Sequence, residues 1–430
     1  MDWLALDLGS SYTKCGRIDV EKKIQEYCSI PAPKPLKTLY GRYEVDAEAY
    51  FAQVYELITK MLSDETAGIL ISTQMHGWIL TSSNFQPVTP YISWQDQSAL
   101  EKDKMGISYL EVLREKIHPQ NMLKSGVMLN QKQAMCTLYA RLQRGLELQH
   151  GWRFCSLGGY IIGKLTGEHV CHITNAAPTG LMDVEAAAWS AERIEAVGCR
   201  KLVFPKILTG FNPAGVMTIG SRKIVVYPDI GDHQVCMLGV NPLRSTTLNV
   251  NIGTAGLIGA LTDRFEDGAY ENRPWIEPGI YLRSISGLPG GRHLSVLYGF
   301  YESVLRKFLP EMSESQQIWD MMTNVDTVGN LEICTDFFSN KGVISKIGEK
   351  FDVDGLNASF YSAIANQYAK AADKLALPLQ EIRFSGGCAQ KNAALRRAIS
   401  LEIGKDGKDT VFDMMTGMYT LARKAQQQLN

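Results

Sequence analysis

The stretch WLALDLGSSYTK, residues 3–14, decides the fold of this 430-residue chain. Its first six residues form an apolar run that contains an acid, and Gly9, Ser10 and Ser11 follow at once. A short apolar run bounded by a turn signal is typical of a buried strand that enters a tight turn. Residues 13–18 regain strand character, so we predict a hairpin whose tip carries glycine and hydroxyl residues.

The same pattern returns in the second half of the chain. The apolar run TLNVNI, residues 247–252, leads into the turn Gly253-Thr254-Ala255-Gly256, and LIGAL follows. Two strand–turn–strand units separated by about half the chain indicate two domains of related design. A chain of this length also exceeds what one hydrophobic core usually serves. We place the boundary near 240, which gives domains of residues 1–240 and 241–430.

The remaining pattern predicts an α/β fold. Helical apolar spacing over 46–62 precedes an apolar strand at 68–72, and helix followed by strand is the order expected of α/β proteins. We expect a β-rich excursion over the cleft at 263–293. Further helices are predicted at 133–145, 153–165, 294–310 and 357–376, loops and strands at 205–228, and a strand at 381–385.

Composition favours a small-molecule enzyme of the cytoplasm. Lys and Arg number 44 against 45 for Asp and Glu, so charge gives no reason to expect a nucleic acid or membrane partner. The start MDWLALDLG lacks a secretory leader, and no apolar run reaches the roughly 18 residues needed to span a bilayer. The nine cysteines are scattered and never in a CxxC pair, which is typical of reduced thiols.

Three glycine turns carry the groups that phosphate binding requires. Residues 7–14 place the acid Asp7, the turn Gly9-Ser10-Ser11 and the cation Lys14 within eight residues. Phosphate is held by backbone N–H groups, hydroxyls, a positive charge and a metal-binding carboxylate. Alone, this stretch is equally well read as an ordinary hairpin. A second turn at 251–256 and a glycine pair in SGGCAQKN, residues 385–392, favour the phosphate interpretation.

Two further motifs supply candidate groups for an acceptor substrate. Asp232 follows Gly231 at a predicted strand-to-helix junction, which can aim a carboxylate into a cleft. The motif QMHG, residues 74–77, also follows a strand, and WQDQ, residues 94–97, comes about twenty residues later. Charged and amide groups beside an aromatic wall are typical of a polyol site, so Trp94 and Asp96 are candidate sugar contacts.

In this order the motifs DLGSSYTK, QMHG, WQDQ, GDHQ, NIGTAG and SGGCAQKNAALRR resemble the FGGY carbohydrate kinase family over nearly the full chain. The resemblance implies two ribonuclease-H-like domains of the actin/hexokinase ATPase type that flank a deep cleft, with sugar and phosphate on the first domain and ATP mainly on the second. QMHG, WQD, TNAA at 174–177 and GLPGG at 287–291 are similar to the ketose kinase branch of sedoheptulokinases and xylulokinases. The implied reaction is transfer of the γ-phosphate of ATP, with Mg²⁺, to sedoheptulose or D-xylulose.

The resemblance also implies a role for each motif residue. Asp232 is expected to be the general base and Asp7 to hold magnesium through water. The expected sugar contacts are Met75, His76, Trp94, Asp96, Gln131 and His233. The expected ATP contacts are Gly9, Ser10, Ser11, Lys14, Gly253 and Thr254 at the phosphates, and Gly386, Gly387 and Asn392 at the adenosine.

Departures from the family pattern keep a second interpretation open. His233 stands where relatives usually have Asn or Gln, which would either make the site pH-sensitive or change which hydroxyl is bound. Ser98 or a neighbour stands where an Arg often follows the WxD motif, and the segment after 400 only loosely resembles the family's closing strand and helix. The alternative is therefore a catalytically weak, sugar-binding kinase homologue. The sequence also leaves open whether the protein forms a homodimer.

Overall fold

The computed structural model describes residues 1–39, 41–239, 245–309, 314–323, 325, 329–410 and 414–429. Strands run as follows in chain order: β1 Asp2–Leu8, β2 Tyr12–Asp19, β3 Lys23–Pro31, β4 Glu44–Val45, β5 Thr66–Thr73, β6 Ile79–Thr81, β7 Tyr91–Ile92, β8 Arg153–Cys155, β9 Val170–His172, β10 Met182–Asp183, β11 Ala188–Trp189, β12 Lys206–Leu208, β13 Gly215–Ile219, β14 Arg222–Gly231, β15 Thr247–Ile252, β16 Gly256–Thr262, β17 Glu271–Pro274, β18 Tyr281–Leu288, β19 Glu332–Cys334, β20 Val343–Ser345, β21 Glu381–Ser385 and β22 Gly407–Asp409.

The α-helices lie between these strands and after them. In chain order they are α1 Ala47–Met61, α2 Tyr109–Lys116, α3 Pro119–Leu123, α4 Ala134–Gln143, α5 Leu157–Thr166, α6 Ile173–Ala176, α7 Ala191–Val197, α8 Asp232–Leu238, α9 Gly291–Phe308, α10 Ser315–Thr323, α11 Val353–Leu375, α12 Gly387–Lys391, α13 Ala393–Ile403 and α14 Met414–Leu429. Across the described ranges, no helix combines the length and the apolar character that a membrane span requires.

Two six-stranded sheets organise the chain, and they repeat one plan. The first has the order β13-β14-β5-β1-β2-β3 and the second the order β17-β18-β16-β15-β21-β22. In each sheet an antiparallel hairpin, β1–β2 or β15–β16, lies beside a parallel neighbour, β5 or β21. Both predicted hairpins and the predicted α/β class are therefore confirmed. Helices cover the sheets because strands buried on both faces need apolar partners on each side.

The helix predictions succeed where the helical spacing of apolar residues extends over many residues. Helix α1 matches the prediction for 46–62; its N-cap Asp46 accepts from Ala49 N–H, and six of its residues are buried. The prediction of one helix over 153–165 is wrong at its start. Residues 153–155 form β8, which pairs with β6, and helix α5 begins only after Ser156, whose hydroxyl accepts from Gly159 N–H.

The C-terminal helix returns to the first sheet. Helix α14 contacts β1, β2, β5 and α8. Its Met418 and Leu421 are fully buried in a core cluster that also contains Trp3 and Leu70. The domain boundary predicted at 240/241 falls in residues 240–244, outside the described residues. The division into 1–240 and 241–430 therefore stays a prediction, and α14 packs on the first of the two sheets.

Candidate active site

Three parallel strands bring the first-domain motifs to one edge of the first sheet. Strand β5 lies between β1 and β14 and runs parallel to both, and Thr73 at its end pairs with Leu8 on one side and Gly231 on the other. The residues that follow the three strands therefore emerge together. They are the turn after Asp7, the QMHG motif and Asp232. Ligands of open α/β sheets bind at such carboxyl edges.

Asp232 is the first residue of α8 and lines the pocket at this edge. Its Oδ1 accepts a hydrogen bond from His233 N–H at 2.8 Å. Burial and the nearby negative charge of Asp7 raise the Asp232 pKa to about 7, although the Arg273 charge opposes them. A carboxylate whose pKa lies near neutral pH is suited to accept a proton from a substrate hydroxyl.

The first glycine turn, residues 9–11, faces the same pocket. Gly9, Ser10 and Ser11 line its roughly 400 Å³ together with Asp7, Lys14, Asp232 and His233. Asp7 is buried, and the Lys14 Nζ lies 3.2 Å from its Oδ2. Glycine is required at position 9, because an added Cβ would lie 2.9 Å from the Tyr12 carbonyl oxygen. The structure thus brings together the acid, hydroxyls and cation that the sequence indicated.

The QMHG motif follows β5 at the same sheet edge, and the lining of the 400 Å³ pocket includes none of its four residues. Met75 is buried, and its sulfur lies 2.6 Å from the position that a Cβ on Gly231 would occupy. His76 has a left-handed backbone with φ 72°, which costs a non-glycine residue on the order of 1–3 kcal/mol and often marks a functional site. The ring is held by a 2.9 Å hydrogen bond between its Nδ1 and the Pro178 carbonyl.

His233 does not supply the pH sensitivity that the sequence suggested. Burial first, and then the Arg273 charge, lower its pKa to about 3. Burial and the same arginine lower the pKa of His76 to about 4. Both imidazoles are therefore neutral at physiological pH and contribute hydrogen-bonding groups and apolar surface. Of these three groups, Asp232 is the one whose pKa lies near physiological pH.

Trp94, Asp96 and Gln131 meet in a neighbouring pocket of about 480 Å³. Lys132, also in its lining, lies with its Nζ 5.3 Å from the centroid of the Trp94 ring. Asp96 itself is fully buried, and its Oδ2 accepts from Tyr43 N–H at 2.9 Å and from Arg141 at 2.7 Å. The carboxylate of Asp96 thus orders the walls of this pocket.

Arg141 is the cation that pairs with Asp96 of the WxD motif. Ser98 donates to Asp96 through both its N–H and its hydroxyl, while the cation comes from α4, far along the chain. Arg141 also pairs with Glu44. Sequence reasoning missed Arg141, because its spacing from Asp96 gives no sign that the two residues meet.

Arg273 and Glu271, which the sequence analysis also missed, lie on β17 of the second sheet, and Glu271 Oε1 accepts a hydrogen bond from Met128 N–H at 3.3 Å. Arg273 Nη2 lies 2.6 Å from Glu271 Oε2. The arginine charge influences Asp232, His76 and His233. The sequence did carry one signal for Glu271 and Arg273. A Glu and an Arg stand two residues apart, as residues on one face of a strand do, inside the segment 263–293 that was expected over the cleft.

The second glycine turn opens on a pocket of about 960 Å³. Gly253, Thr254, Gly387 and Asn392 line it, together with Arg292, Trp319 and other residues of α9 and α10. Gly291 N–H donates to the Gly253 carbonyl at 2.8 Å, and Arg292 N–H donates to the Thr254 carbonyl at 3.0 Å. The turn is therefore held rigidly at the start of α9.

Gly386 follows β21 and precedes α12, and Asn392, which lines this pocket, is the N-cap of α13. Gly386 has φ +89°, and an added Cβ would lie 2.6 Å from the Ile252 carbonyl oxygen, so only glycine lets the two turns pack together. Asn392 is buried; its Oδ1 accepts from Leu395 N–H and its Nδ2 donates to the Tyr361 hydroxyl, both at 2.9 Å. These two predicted nucleotide residues shape the pocket wall.

The acids of the first pocket fit a magnesium ion that keeps most of its bound water molecules. Asp7 and Asp232 face one pocket, and the charge of Asp7 raises the Asp232 pKa. Among the described residues, no group of three or more His, Cys, Asp or Glu could hold a metal ion. Mg²⁺ commonly binds through one or two carboxylates plus waters and substrate phosphates, so this donor set suits it.

Comparison with known proteins agrees with this site. The profile described as "FGGY family of carbohydrate kinases, N-terminal domain" matches residues 2–230. Xylulose kinase of Lactococcus lactis subsp. lactis (strain IL1403) is 24% identical over 61% of this chain and 54% of its own length. Gluconokinase of Bacillus subtilis (strain 168) is 23% identical over 61% of this chain and 52% of its own length. The chain thus spans about half the length of the curated relatives it matches.

Solved structures share the whole fold. Ligand-bound xylulose kinase from Lactobacillus acidophilus matches with a TM-score of 0.79 and 21% identity, covering 100% of this chain and 90% of the other. Glycerol kinase from Plasmodium falciparum with ADP matches with a TM-score of 0.79 and 17% identity over the same shares. These likenesses confirm the predicted pair of ribonuclease-H-like domains of the actin/hexokinase type. On the match over residues 2–230 and the motifs at the sheet edge, the chain belongs to the FGGY family of carbohydrate kinases.

Proposed function

We propose that this protein is an ATP-dependent sugar kinase that transfers the γ-phosphate of ATP to a hydroxyl of a ketose, with Asp232 as the general base. The observation that carries the proposal is the position of Asp232. It starts α8 at the carboxyl edge of the first sheet and lines one pocket with the hydroxyls and Lys14 of the first phosphate turn. Its pKa of about 7 suits a base that works at neutral pH.

The chain's own residues divide the work as follows. Asp232 takes the proton of the attacking hydroxyl, which Met75, His76 and His233 help to position. Lys14 and the 9–11 turn meet the phosphates from one side, and Gly253 and Thr254 meet them from the other. Phosphoryl transfer depends mainly on such alignment and charge neutralisation. Asp7 would hold Mg²⁺ through water, and the ion would neutralise charge on the phosphates.

The nucleotide is assigned to the 960 Å³ pocket of the second sheet. Gly253, Thr254, Gly387 and Asn392 line this pocket, and the solved glycerol kinase relative is described with ADP. The sugar is assigned to the first-domain side, where Trp94 and Gln131 line the pocket of about 480 Å³. This assignment supports the proposed division into a sugar-binding domain, 1–240, and a nucleotide-binding domain, 241–430.

The acceptor is proposed to be a ketose, D-xylulose or sedoheptulose. Two observations support this choice: the QMHG motif lies at the site, and relatives include xylulose kinases. We expect the reaction to occur in the cytoplasm, because the nine cysteines are scattered along the chain and none stands in a CxxC pair, a pattern typical of proteins from reducing compartments.

An ATP-coupled assay over a panel of sugars tests the proposal. D-xylulose, sedoheptulose, D-gluconate and glycerol are compared with Mg²⁺ present, and the Asp232→Asn variant serves as the matched inactive control. We expect ADP release that depends on a ketose and is lost in the variant. Ketose binding by calorimetry without any turnover would instead favour the sugar-binding homologue, and turnover of no panel sugar with no binding would refute a sugar site.

A further inference from the structure

Strand β17 of the second sheet carries a charged pair, Glu271 and Arg273. Glu271 and Arg273 are two residues apart, so their side chains lie on the same face of the strand. Arg273 Nε and Nη2 lie 2.7 and 2.6 Å from Glu271 Oε2. Their exposed fractions are 11% for Arg273 and 10% for Glu271. The pair is therefore nearly buried, held in one geometry and close to neutral in sum.

Hydrogen bonds to the first domain fix the position of this strand. The three bonds are Asn272 N–H to the Gly126 carbonyl at 2.9 Å, Met128 N–H to Glu271 Oε1 at 3.3 Å, and Gln234 Nε2 to the Pro274 carbonyl at 3.3 Å. Gln234 lies two residues after Asp232 on α8. The residues on both sides of Arg273 are therefore hydrogen-bonded to the first domain. On one side the bond is to α8, the helix that begins with Asp232.

The neighbours of β17 place Arg273 beside the sugar motifs. Strand β17 contacts α6 and the following single turn, residues 177–179. The carbonyl of Pro178 in that turn holds the His76 ring. The positive charge of Arg273 acts on His76, His233 and Asp232, which agrees with a location among the predicted sugar contacts.

We propose that Arg273 and Glu271 together bind neighbouring hydroxyls of a neutral sugar and thereby select polyhydroxy ketoses over sugar acids. This inference rests on the proposed kinase function. Glu271 engages Nε and Nη2 of a guanidinium that carries five N–H donors, and its carboxylate has several lone pairs. A pair of this kind can donate to one hydroxyl and accept from the next.

A sugar acid is disfavoured by the same arrangement. Its carboxylate could pair with Arg273 only in competition with Glu271, whose negative charge stays within hydrogen-bonding distance of the arginine. Asp232 adds a second negative charge when it is ionised. Juxtaposed like charges in a buried site are a common way to reject a wrong ligand.

Calorimetric binding of D-xylulose, sedoheptulose and D-gluconate, without ATP, tests the pair independently of catalysis. We expect a ketose to bind the wild-type protein more tightly than D-gluconate. Arg273→Gln should weaken ketose binding at least about 10-fold, because the loss of a hydrogen bond to a charged group typically lowers affinity by that factor. Arg273→Lys keeps the charge but loses the planar fork, and it should weaken ketose binding while leaving the unfolding midpoint unchanged.

Arg383→Gln is the matched control. Arg383 and Glu381 form a second arginine–glutamate pair two residues apart on β21, a strand of the same sheet, with 3.2 Å between Nη2 and Oε2. Its removal should leave ketose affinity unchanged, and ATP affinity should stay within about two-fold in the three variants. Unchanged ketose binding in Arg273→Gln would overturn the inference, while turnover in the coupled assay would leave the kinase proposal standing. Tighter binding of D-gluconate than of either ketose, or no sugar binding at all, would also overturn it.

Discussion

The substitution Asp232→Asn is expected to lower activity and raise stability at once. Asn keeps the shape of the side chain and an oxygen that can accept from His233 N–H, which now donates to Asp232 Oδ1 at 2.8 Å. It removes the ability to take a proton. General-base catalysis contributes about 10²–10⁴-fold, so kcat should fall at least about 100-fold while the sugar still binds.

The stability gain follows from the raised pKa of Asp232. Burial, together with the Asp7 charge, raises this pKa from 3.8 to about 7, so ionising the carboxyl costs the folded state more than the unfolded chain. Each pKa unit corresponds to about 1.36 kcal/mol. Because Asp232 lines an open pocket, solvent screens part of this cost. We expect the variant to be more stable by about 2–4 kcal/mol above pH 7.

The sign of the pH dependence follows directly. A carboxyl with a raised folded-state pKa favours the folded state fully below pH 4, and this contribution is lost as the pH rises through 7. The stability advantage of Asp232→Asn should therefore be largest above pH 7 and shrink toward pH 4. Wild-type kcat/KM for the sugar should rise with pH through about 7 and then level off, because only the ionised carboxylate is a base.

Urea denaturation at several pH values and steady-state kinetics measure both effects. Near-normal kcat in Asp232→Asn would refute the assignment of the base. An equal or lower free energy of unfolding at pH 8 would refute the reasoning about burial and the Asp7 charge, even if kcat falls. The two results are independent, since one reports on the reaction and the other on the folded state alone.

Two further substitutions test the neighbouring parts of the site. Lys14→Met removes the cation whose Nζ lies 3.2 Å from Asp7 Oδ2; kcat/KM for ATP should fall on the order of 10–100-fold with unchanged sugar affinity, and steady-state kinetics in which kcat/KM for ATP stays at the wild-type value would contradict the phosphate role. Gly417→Ala places a Cβ 1.8 Å from the Val235 carbonyl oxygen, so α14 should shift against α8 and unfolding free energy should fall by at least about 2 kcal/mol. Gly299→Ala is the control in α9, where no other atom lies within 4 Å; it should stabilise by about 0.5–1 kcal/mol in the same denaturation series, and equal losses in both variants would refute the steric argument.

Sequence alone determined the elements whose signals are local. The apolar runs with glycine turns gave the hairpins β1–β2 and β15–β16, and periodic spacing gave α1. A strand at 381–385 was predicted with the bounds that β21 has. These predictions succeeded because strand alternation, helical period and turn residues act over a few neighbours. The helix predicted over 153–165 failed at its start, because β8 forms by pairing with β6, some seventy residues earlier in the chain.

Only the tertiary structure decided which charges meet at the site. The sequence marked Asp232, but its pKa near 7 comes from burial and from Asp7 on another strand. Strand β17, which carries Arg273, is hydrogen-bonded to residues 126–128 and to α8, and Arg141 pairs with Asp96 through the packing of α4. Such contacts join residues far apart in the chain, and no local pattern encodes them. The sequence identified the chemical groups of the site. The packing of the two sheets determined the charge state of these groups and their partners.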